Sequence, residues 1–170
     1  MNLVSRRRWG ARTPKCVSPL PPADITTLVF HYSAADADEQ ADHAKCAGRV
    51  RGIQTFHMDG RGWCDIAYSF VVCRHGYTFA GRGWDTRTAA TGPANGFSLA
   101  VCFLGNDTPA RADVTPTARV ELEAVARRFR ARYGPAAHYK GHRDYMATTC
   151  PGDELYRFIH SPRFIAATLP

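Results

Sequence analysis

The segment that most restricts the fold is residues 98–105, which read SLAVCFLG, an almost unbroken run of apolar side chains. A strand with one face in water alternates polar and apolar residues, whereas a strand covered on both faces is apolar throughout. The run therefore predicts a central strand with a layer of structure on each side. A chain of 170 residues, 45% of them hydrophobic, can fill one such core but is too short to divide comfortably into two domains.

The rest of the chain alternates between strand-like and helix-like patterns. The strand-like segments are residues 25–31, residues 66–73, and a short stretch around Phe79 that follows a turn at Gly76. The helix-like segments are residues 42–58, residues 115–134, which begin with a Thr-Pro pair, and residues 153–159. This order predicts an α/β fold: a single three-layer domain over residues 1–170, with a central mixed β-sheet flanked by helices.

The formal net charge of +7 favours polyanionic partners, among them nucleic acid, anionic lipid and the bacterial envelope. The charge alone does not choose among them, and most of the charged side chains are expected to be solvated. No stretch approaches the roughly 18 consecutive apolar residues of a membrane-spanning helix. The basic start is followed by Trp9 and Gly10 rather than by an apolar segment, so neither a membrane anchor nor a secretory signal is expected.

Six cysteines exceed what a reducing compartment usually tolerates without a purpose, yet they lack the dense spacing of a disulfide-stapled miniprotein. Cys102 lies within the apolar run and is expected to be a buried small hydrophobe. One or two disulfides are compatible with the others. The pairing stays open among Cys16, Cys46, Cys64 and Cys73.

Three residues have the chemistry of a metal site: His31 at a predicted strand end, His142 in a GHRD motif, and Cys150 in TTCPG. Zinc accepts imidazole nitrogen and thiolate sulfur in tetrahedral geometry. Three protein ligands leave the fourth position for water, which distinguishes a catalytic site from a structural one. The eight-residue spacing of His142 and Cys150 suits a loop that folds back on itself. Taken singly, a histidine at a strand end and a lone cysteine more often serve packing.

Seven segments, in order along nearly the whole chain, resemble the peptidoglycan recognition protein family and the related phage lysozyme-type amidases. They are SRRRWGAR, LVFHYSAA, VRGIQTFHMDGRGWCDIAYSFVV, GYTFAGRGW, FSLAVCFLGN, TPTARVELEAV and YKGHRDYMATTCPGDELY. The resemblance implies a peptidoglycan recognition protein-like fold and a zinc-dependent N-acetylmuramoyl-L-alanine amidase, which hydrolyses the amide bond between the lactyl group of N-acetylmuramic acid and L-alanine. It also implies peptidoglycan, bound as a muramyl peptide, as the partner, one catalytic domain without a separate wall-binding domain, and one zinc ion as the cofactor.

The family's catalytic residues can be carried over position by position. Its three zinc ligands fall on His31, His142 and Cys150. Its catalytic tyrosine falls on Tyr68, which the predicted strand places on the same face as Phe70. The family has a lysine or threonine two residues before the cysteine, and here that position is Thr148. Because a hydroxyl cannot supply lysine's positive charge, we expect Thr148 to donate a hydrogen bond or orient water, and zinc to provide most of the oxyanion stabilisation.

The resemblance says less about substrate binding. Family members bind the muramyl peptide in a groove beside the zinc, and Arg82 and Trp84 match a segment that lines it. The planar guanidinium of Arg82 suits a stem-peptide carboxylate, such as that of diaminopimelate. A surface arginine at the exit of a hairpin is an equally good interpretation.

Two positions depart from the family pattern. Ala90 stands where the family usually has a groove histidine, so the muramyl peptide is expected to be bound without a contact to that histidine. Animal members carry a short disulfide that ends near Cys46, but its usual partner position is Gln40 here. Cys46 is therefore free, or it pairs with Cys64 or Cys16.

Two other classes of function compete with catalysis. Some family members lack the cysteine ligand and only recognise peptidoglycan; retention of Cys150 with both histidines and Tyr68 favours an enzyme. A nucleic-acid-binding protein is supported only by the charge, so no nucleic-acid partner is expected. The predicted setting is a phage endolysin, monomeric and not inserted in the membrane, that stays in the host cytoplasm until it reaches the wall. A delivered antibacterial effector, or a secreted enzyme whose leader was removed, also fits.

Overall fold

A mixed sheet of six strands organises the protein, whose computed structural model describes residues 1–34, 42–108, 111–112 and 114–169. The described strands are β1 (Leu3–Val4), β2 (Thr27–Tyr32), β3 (Phe70–Cys73), β4 (Tyr77–Ala80), β5 (Ser98–Leu104), β6 (Asp107–Thr108), β7 (Arg111–Ala112) and β8 (His138–Gly141). The sheet has the order β1–β4–β3–β5–β2–β8, and β6 pairs with β7 in a separate ribbon. Neighbouring strands of the sheet run parallel except in the β3–β4 hairpin. The predicted mixed sheet is confirmed.

Helices lie on both faces of this sheet. They are α1 (Arg6–Trp9), α2 (Cys46–Thr55), α3 (Pro116–Tyr133), α4 (Asp153–Ile159) and α5 (Pro162–Ala167). The predicted start of α3 is confirmed, because the Thr115 hydroxyl accepts a hydrogen bond from the Ala118 amide at 3.2 Å. The helix predicted over residues 42–58 is three pieces: a 3₁₀ turn at His43–Lys45, then α2, then a π-helical turn at Phe56–Gly60. None of the described helices has the length and apolar character needed to span a membrane.

All seven residues of β5 are buried, as the apolar run predicts. On one side of the sheet, Phe30 and Phe103 pack into a cluster with residues of α3, α4 and α5. On the other side, Val71 and Cys102 pack with Trp9 of α1 and with residues of α2. One sheet with an apolar layer on each face is the predicted three-layer α/β arrangement.

Alternation along β2 separates two neighbouring side chains. Phe30 points into the α3 side, where its ring packs edge-on against Phe164 of α5 at 5.7 Å and Tyr139 of β8 at 6.2 Å between centroids. Because successive residues of a strand face opposite ways, His31 points to the α2 side.

The predicted common face of Tyr68 and Phe70 is wrong. Strand β3 begins only at Phe70, which packs on the α3 side, whereas Tyr68 packs on the α2 side. The regular pairing of β3 with β4 ends at Phe70 and Ala80, and beyond it the carbonyl of Ser69 accepts hydrogen bonds from the amides of both Gly81 (2.9 Å) and Gly83 (3.1 Å), so Tyr68 and Ser69 lie outside the strand and need not follow its alternation. This irregular backbone turns Tyr68 toward the same side of the sheet as His31.

Six short elements, β1, α1, β6, β7, β8 and α5, were not predicted from the sequence. The structure also shows which of the cysteines form a disulfide. Cys16 and Cys64 form a disulfide with a Cα–Cα distance of 5.0 Å, and the other four cysteines are buried free thiols. Cys46 thus pairs with neither Cys16 nor Cys64. Gln40, its expected counterpart in the family pattern, lies outside the described residues.

Candidate metal centre and neighbouring groove

The three predicted ligands meet at one end of the sheet. His31 lies near the end of β2, His142 follows β8 directly, and Cys150 lies in the next loop. Because β2 and β8 are parallel neighbours, their ends adjoin. The ligand atoms of the three side chains all lie within 4.8 Å of one another. In the described part of the chain, no fourth His, Cys, Asp or Glu joins them.

Hydrogen bonds fold the loop between His142 and Cys150 back on itself, as the spacing predicts. The Arg143 amide donates to the Cys150 carbonyl at 2.9 Å. At the start of the loop, the Gly141 amide donates to the Asp144 carboxylate at 2.8 Å. The Arg143 guanidinium pairs with Asp153 of α4 at 2.7 Å. The loop therefore holds the thiol opposite the two imidazoles.

The His31 ring is held through both of its nitrogens. Its Nδ1 lies 3.7 Å from the Cys150 sulfur, and its Nε2 lies 3.1 Å from the hydroxyl of the buried Thr91. A hydrogen bond on the far nitrogen orients an imidazole ligand and sets its tautomer. No sequence pattern pointed to Thr91 for this task, because it depends on the path of a loop.

The protonation of the three side chains suits a bound cation. Burial, followed by the neighbouring His142, keeps the pKa of His31 well below its usual value, and burial also lowers that of His142. Both imidazoles are therefore neutral near pH 7, as ligands must be. Burial raises the pKa of the Cys150 thiol to about 11, and a coordinated cation is what deprotonates such a thiol at neutral pH. The nitrogen and sulfur donors fit zinc.

Tyr68 lies beside the candidate metal centre. Its ring is 5.4 Å from that of His31 and 5.7 Å from that of His57, between centroids. Loss of solvation and then the nearby sulfurs of Cys102 and Cys150 raise the pKa of Tyr68 well above its usual value. The partly exposed phenol therefore keeps its proton and can donate it in a hydrogen bond.

Thr148 is exposed at the rim of the site. Its hydroxyl accepts a hydrogen bond from the Cys150 amide at 3.2 Å. The hydroxyl proton remains available, so Thr148 both supports the backbone at the thiol and can donate a hydrogen bond.

A groove with a cavity of about 490 Å³ begins at Tyr68 and runs along α2. Its lining includes Gly52, Ile53 and His57. His57 is buried, and its Nδ1 accepts a hydrogen bond from the Ala67 amide at 3.1 Å. Burial, and then the charges of Arg82 and Arg61, lower the pKa of His57 to about 4. The sequence placed His57 only on an apolar helix face; its proximity to Tyr68 was missed.

The structure does not bring Arg82 and Trp84 into this groove. The Arg82 guanidinium donates to three main-chain carbonyls, at 2.7 Å to Ile66, 2.8 Å to Arg87 and 3.3 Å to Asp65. Arg82 borders a separate depression with Trp63 and Thr88.

Trp84 lies on the other face of the sheet. Its ring packs 4.5 Å from Phe70 and 6.2 Å from Tyr133, between centroids. The substrate-binding roles of Arg82 and Trp84 stay predictions.

Comparison with known proteins places this geometry in a family. The family profile described as N-acetylmuramoyl-L-alanine amidase matches residues 21–153. Peptidoglycan recognition protein 1 of Bos taurus is 31% identical over 159 residues, which cover 93% of this chain and 82% of that protein. The chain belongs to the peptidoglycan recognition protein and N-acetylmuramoyl-L-alanine amidase family.

Other members of the peptidoglycan recognition protein and amidase family agree in sequence and in fold. The N-acetylmuramoyl-L-alanine amidase of Sus scrofa is 38% identical over 164 residues, which cover 94% of this chain but only 27% of that larger protein. The structure described as Drosophila PGRP-LB wild-type superposes with a TM-score of 0.84 at 30% identity, covering 95% of this chain and 94% of the other. The structure of tracheal cytotoxin bound to the ectodomain complex of peptidoglycan recognition proteins LCa and LCx gives a TM-score of 0.86 at 29% identity, covering 95% of this chain and 96% of the other. The predicted family and fold are confirmed.

Proposed function

We propose that this family member is a zinc-dependent N-acetylmuramoyl-L-alanine amidase that cleaves the bond between the lactyl group and L-alanine in peptidoglycan. The observation that carries the proposal is the convergence of His31, His142 and Cys150 within 4.8 Å, with Tyr68 alongside and no fourth His, Cys, Asp or Glu among the described residues. An open coordination position separates catalytic from structural zinc sites.

The chain's own residues have separate tasks. A zinc ion held by the three ligands would supply an activated water near neutral pH and polarise the scissile carbonyl. Tyr68, which stays protonated, donates a hydrogen bond to the oxygen that becomes negative as the amide is attacked. Thr148 donates a hydrogen bond from the rim of the site. Thr91 keeps the His31 ring in the orientation in which its Nδ1 faces the Cys150 thiol. The groove along α2 binds the muramyl peptide.

The decisive experiment uses purified sacculi and counts newly released L-alanine amino termini. We expect release by the zinc-loaded protein, loss after chelation, and recovery when zinc is restored. Cys150→Ala removes one ligand and should lower the rate by more than about 100-fold, since a metal contributes several kcal/mol to such reactions. Cys102→Ala, a buried thiol outside the ligand set, is the control for zinc retention.

A peptidoglycan recognition module without catalysis is the second candidate, because the same groove would serve binding alone. A zinc-loaded protein that sediments with sacculi but releases no L-alanine amino termini would establish that reading and reject the amidase. Sedimentation and product release are therefore measured on the same samples.

We also propose that Arg82 contacts a stem-peptide carboxylate from its depression beside Trp63. The contact predicts that Arg82→Ala loses more activity on diaminopimelate-type than on lysine-type peptidoglycan. Equal losses on both would mean that Arg82 acts only through the three carbonyls it holds.

The proposed setting is a phage endolysin. Expressed inside a bacterial host, the protein should leave turbidity unchanged until the cytoplasmic membrane is permeabilised, after which turbidity should fall rapidly. Lysis without permeabilisation would favour an exported enzyme.

A further inference from the structure

A second cluster of metal-ligating side chains lies away from the candidate catalytic centre. It consists of His43, Cys46, Cys73 and His75, whose ligand atoms all lie within 4.8 Å of one another. The first two belong to the 3₁₀ turn and first residue of α2, and the last two to the end of β3 and the hairpin turn that follows. Two elements that are distant in sequence thus contribute two donors each.

The distances suit one tetrahedral ion. The Cys46 sulfur lies 3.5 Å from Nδ1 of His75. Zinc bonds of about 2.3 Å to sulfur and about 2.0 Å to nitrogen, at tetrahedral angles, put such a pair about 3.5 Å apart. The His43 ring lies 5.4 Å from that of His75 and is held by stacking on Tyr77 at 4.1 Å, between centroids.

The four side chains of the cluster differ in their exposure to solvent. Both thiols are buried, His75 is partly buried, and His43 is exposed. An ion can therefore enter past His43, whereas the sulfurs are shielded from solvent. Two sulfurs and two nitrogens fill the four positions that structural zinc sites use and leave none for substrate.

We propose that His43, Cys46, Cys73 and His75 bind a second, structural zinc ion, independent of the candidate catalytic ion. The ion would join the start of α2 to the β3–β4 hairpin. Because α2 forms one wall of the groove, the site would stabilise that wall without taking part in chemistry.

Zinc content per chain tests the proposal, with the protein purified under reducing conditions, loaded with zinc and desalted. We expect two ions in the wild type, one in Cys150→Ala, one in Cys73→Ala, and none in the double variant. Cys102→Ala, another buried free thiol, should keep two. A single ion that disappears in Cys150→Ala would overturn the second site, whereas a single ion that survives Cys150→Ala and disappears in Cys73→Ala would support it and count against the catalytic zinc.

A second measurement avoids dependence on the folding of Cys73→Ala. In Cys150→Ala, whose cluster is intact, bound Co²⁺ should show the charge-transfer absorption of thiolate ligands. Cys46 and Cys73 should resist alkylation while zinc is bound and react after chelation. A disulfide between Cys46 and Cys73, found by mass spectrometry in freshly purified protein, would overturn the proposal.

Discussion

The Nδ1 atom of His31 lies 3.7 Å from the sulfur of Cys150, although 119 residues separate them in the chain. The contact exists because β2 and β8 are parallel neighbours and because the loop after β8 folds back onto its own start. Binding of a metal ion by His31 and Cys150 requires that these two atoms be held at this separation.

Tyr68→Phe should lower kcat by about 100- to 1000-fold, the cost of losing one hydrogen-bond donor to a developing oxyanion. The ring that packs on His31 remains, so zinc content should not change. Single-turnover hydrolysis of a muramyl peptide and metal analysis measure the two effects. Tyr133→Phe, which loses a hydroxyl bonded to Asp85 on the α3 side, is the matched control. Full activity in Tyr68→Phe would remove Tyr68 from the mechanism.

Gly81→Ala should displace Tyr68, because an added Cβ would lie 2.2 Å from the Tyr68 carbonyl oxygen and 3.1 Å from that of Ser69. We expect a loss of stability of about 1–3 kcal/mol and a fall in activity at least as large as that of Tyr68→Phe. Denaturant unfolding and hydrolysis assays measure them. Gly96→Ala, where an added Cβ meets nothing within 4 Å, should change neither. An active, stable Gly81→Ala would contradict the close approach of the two backbones.

Thr91→Val keeps the shape of the side chain but removes the hydroxyl that lies against Nε2 of His31. We expect zinc affinity to fall about 10- to 100-fold, the usual effect of losing a partner behind a ligand. Competition with a chromophoric chelator measures the affinity. Thr27→Val, a buried threonine at the other end of β2, should leave it unchanged. Equal affinities in all three proteins would show that Thr91 does not orient the ring.

His57 should make the metal-free protein less stable in acid. Its pKa falls from 6.5 to about 4 in the folded state, so between these values the unfolded chain binds a proton that the folded protein does not. The free energy of unfolding should therefore decrease as pH falls through this window, by at most roughly 3 kcal/mol, and should be unaffected above it.

His57→Gln should flatten that slope, as followed by urea unfolding between pH 7 and pH 4. Only the difference from the wild type is informative, because the lowered pKa of His31 acts in the same direction. His138→Gln, at an exposed histidine of β8, is the control. Identical slopes in wild type and His57→Gln would exclude His57 as the source.

The sequence predicts what depends on local pattern. The run at residues 98–105 becomes the buried β5, because a strand covered on both faces requires consecutive apolar residues. Thr115 caps the start of α3, because a helix N-terminus favours a Thr-Pro pair that can be recognised in the sequence. The convergence of His31 with the loop that carries Cys150 could be anticipated from ligand chemistry and the family resemblance.

What the sequence misses depends on which segments meet in space. The face of Tyr68 was predicted wrongly because the contacts of Ser69 with Gly81 and Gly83 interrupt the strand. Strand β8 (HYKG) is too short and polar to have a recognisable pattern. The cluster around Cys46 forms only when α2 meets the end of β3 and the hairpin turn, where Cys73 and His75 lie 27 and 29 residues further along the chain. The short spacings of His43 with Cys46 and of Cys73 with His75 were the local clues.

The edge-on packing of Phe164 against Phe30 links the last helix to the strand that carries His31. Phe30 and Phe164 are not proposed ligands. By packing on the face of the sheet opposite His31, they help to fix the position of the strand that carries it. A chain shortened before Pro162 would retain every proposed metal donor but lose the ring that packs against Phe30, so we expect the smallest unit with an intact site to extend beyond the last proposed ligand, Cys150.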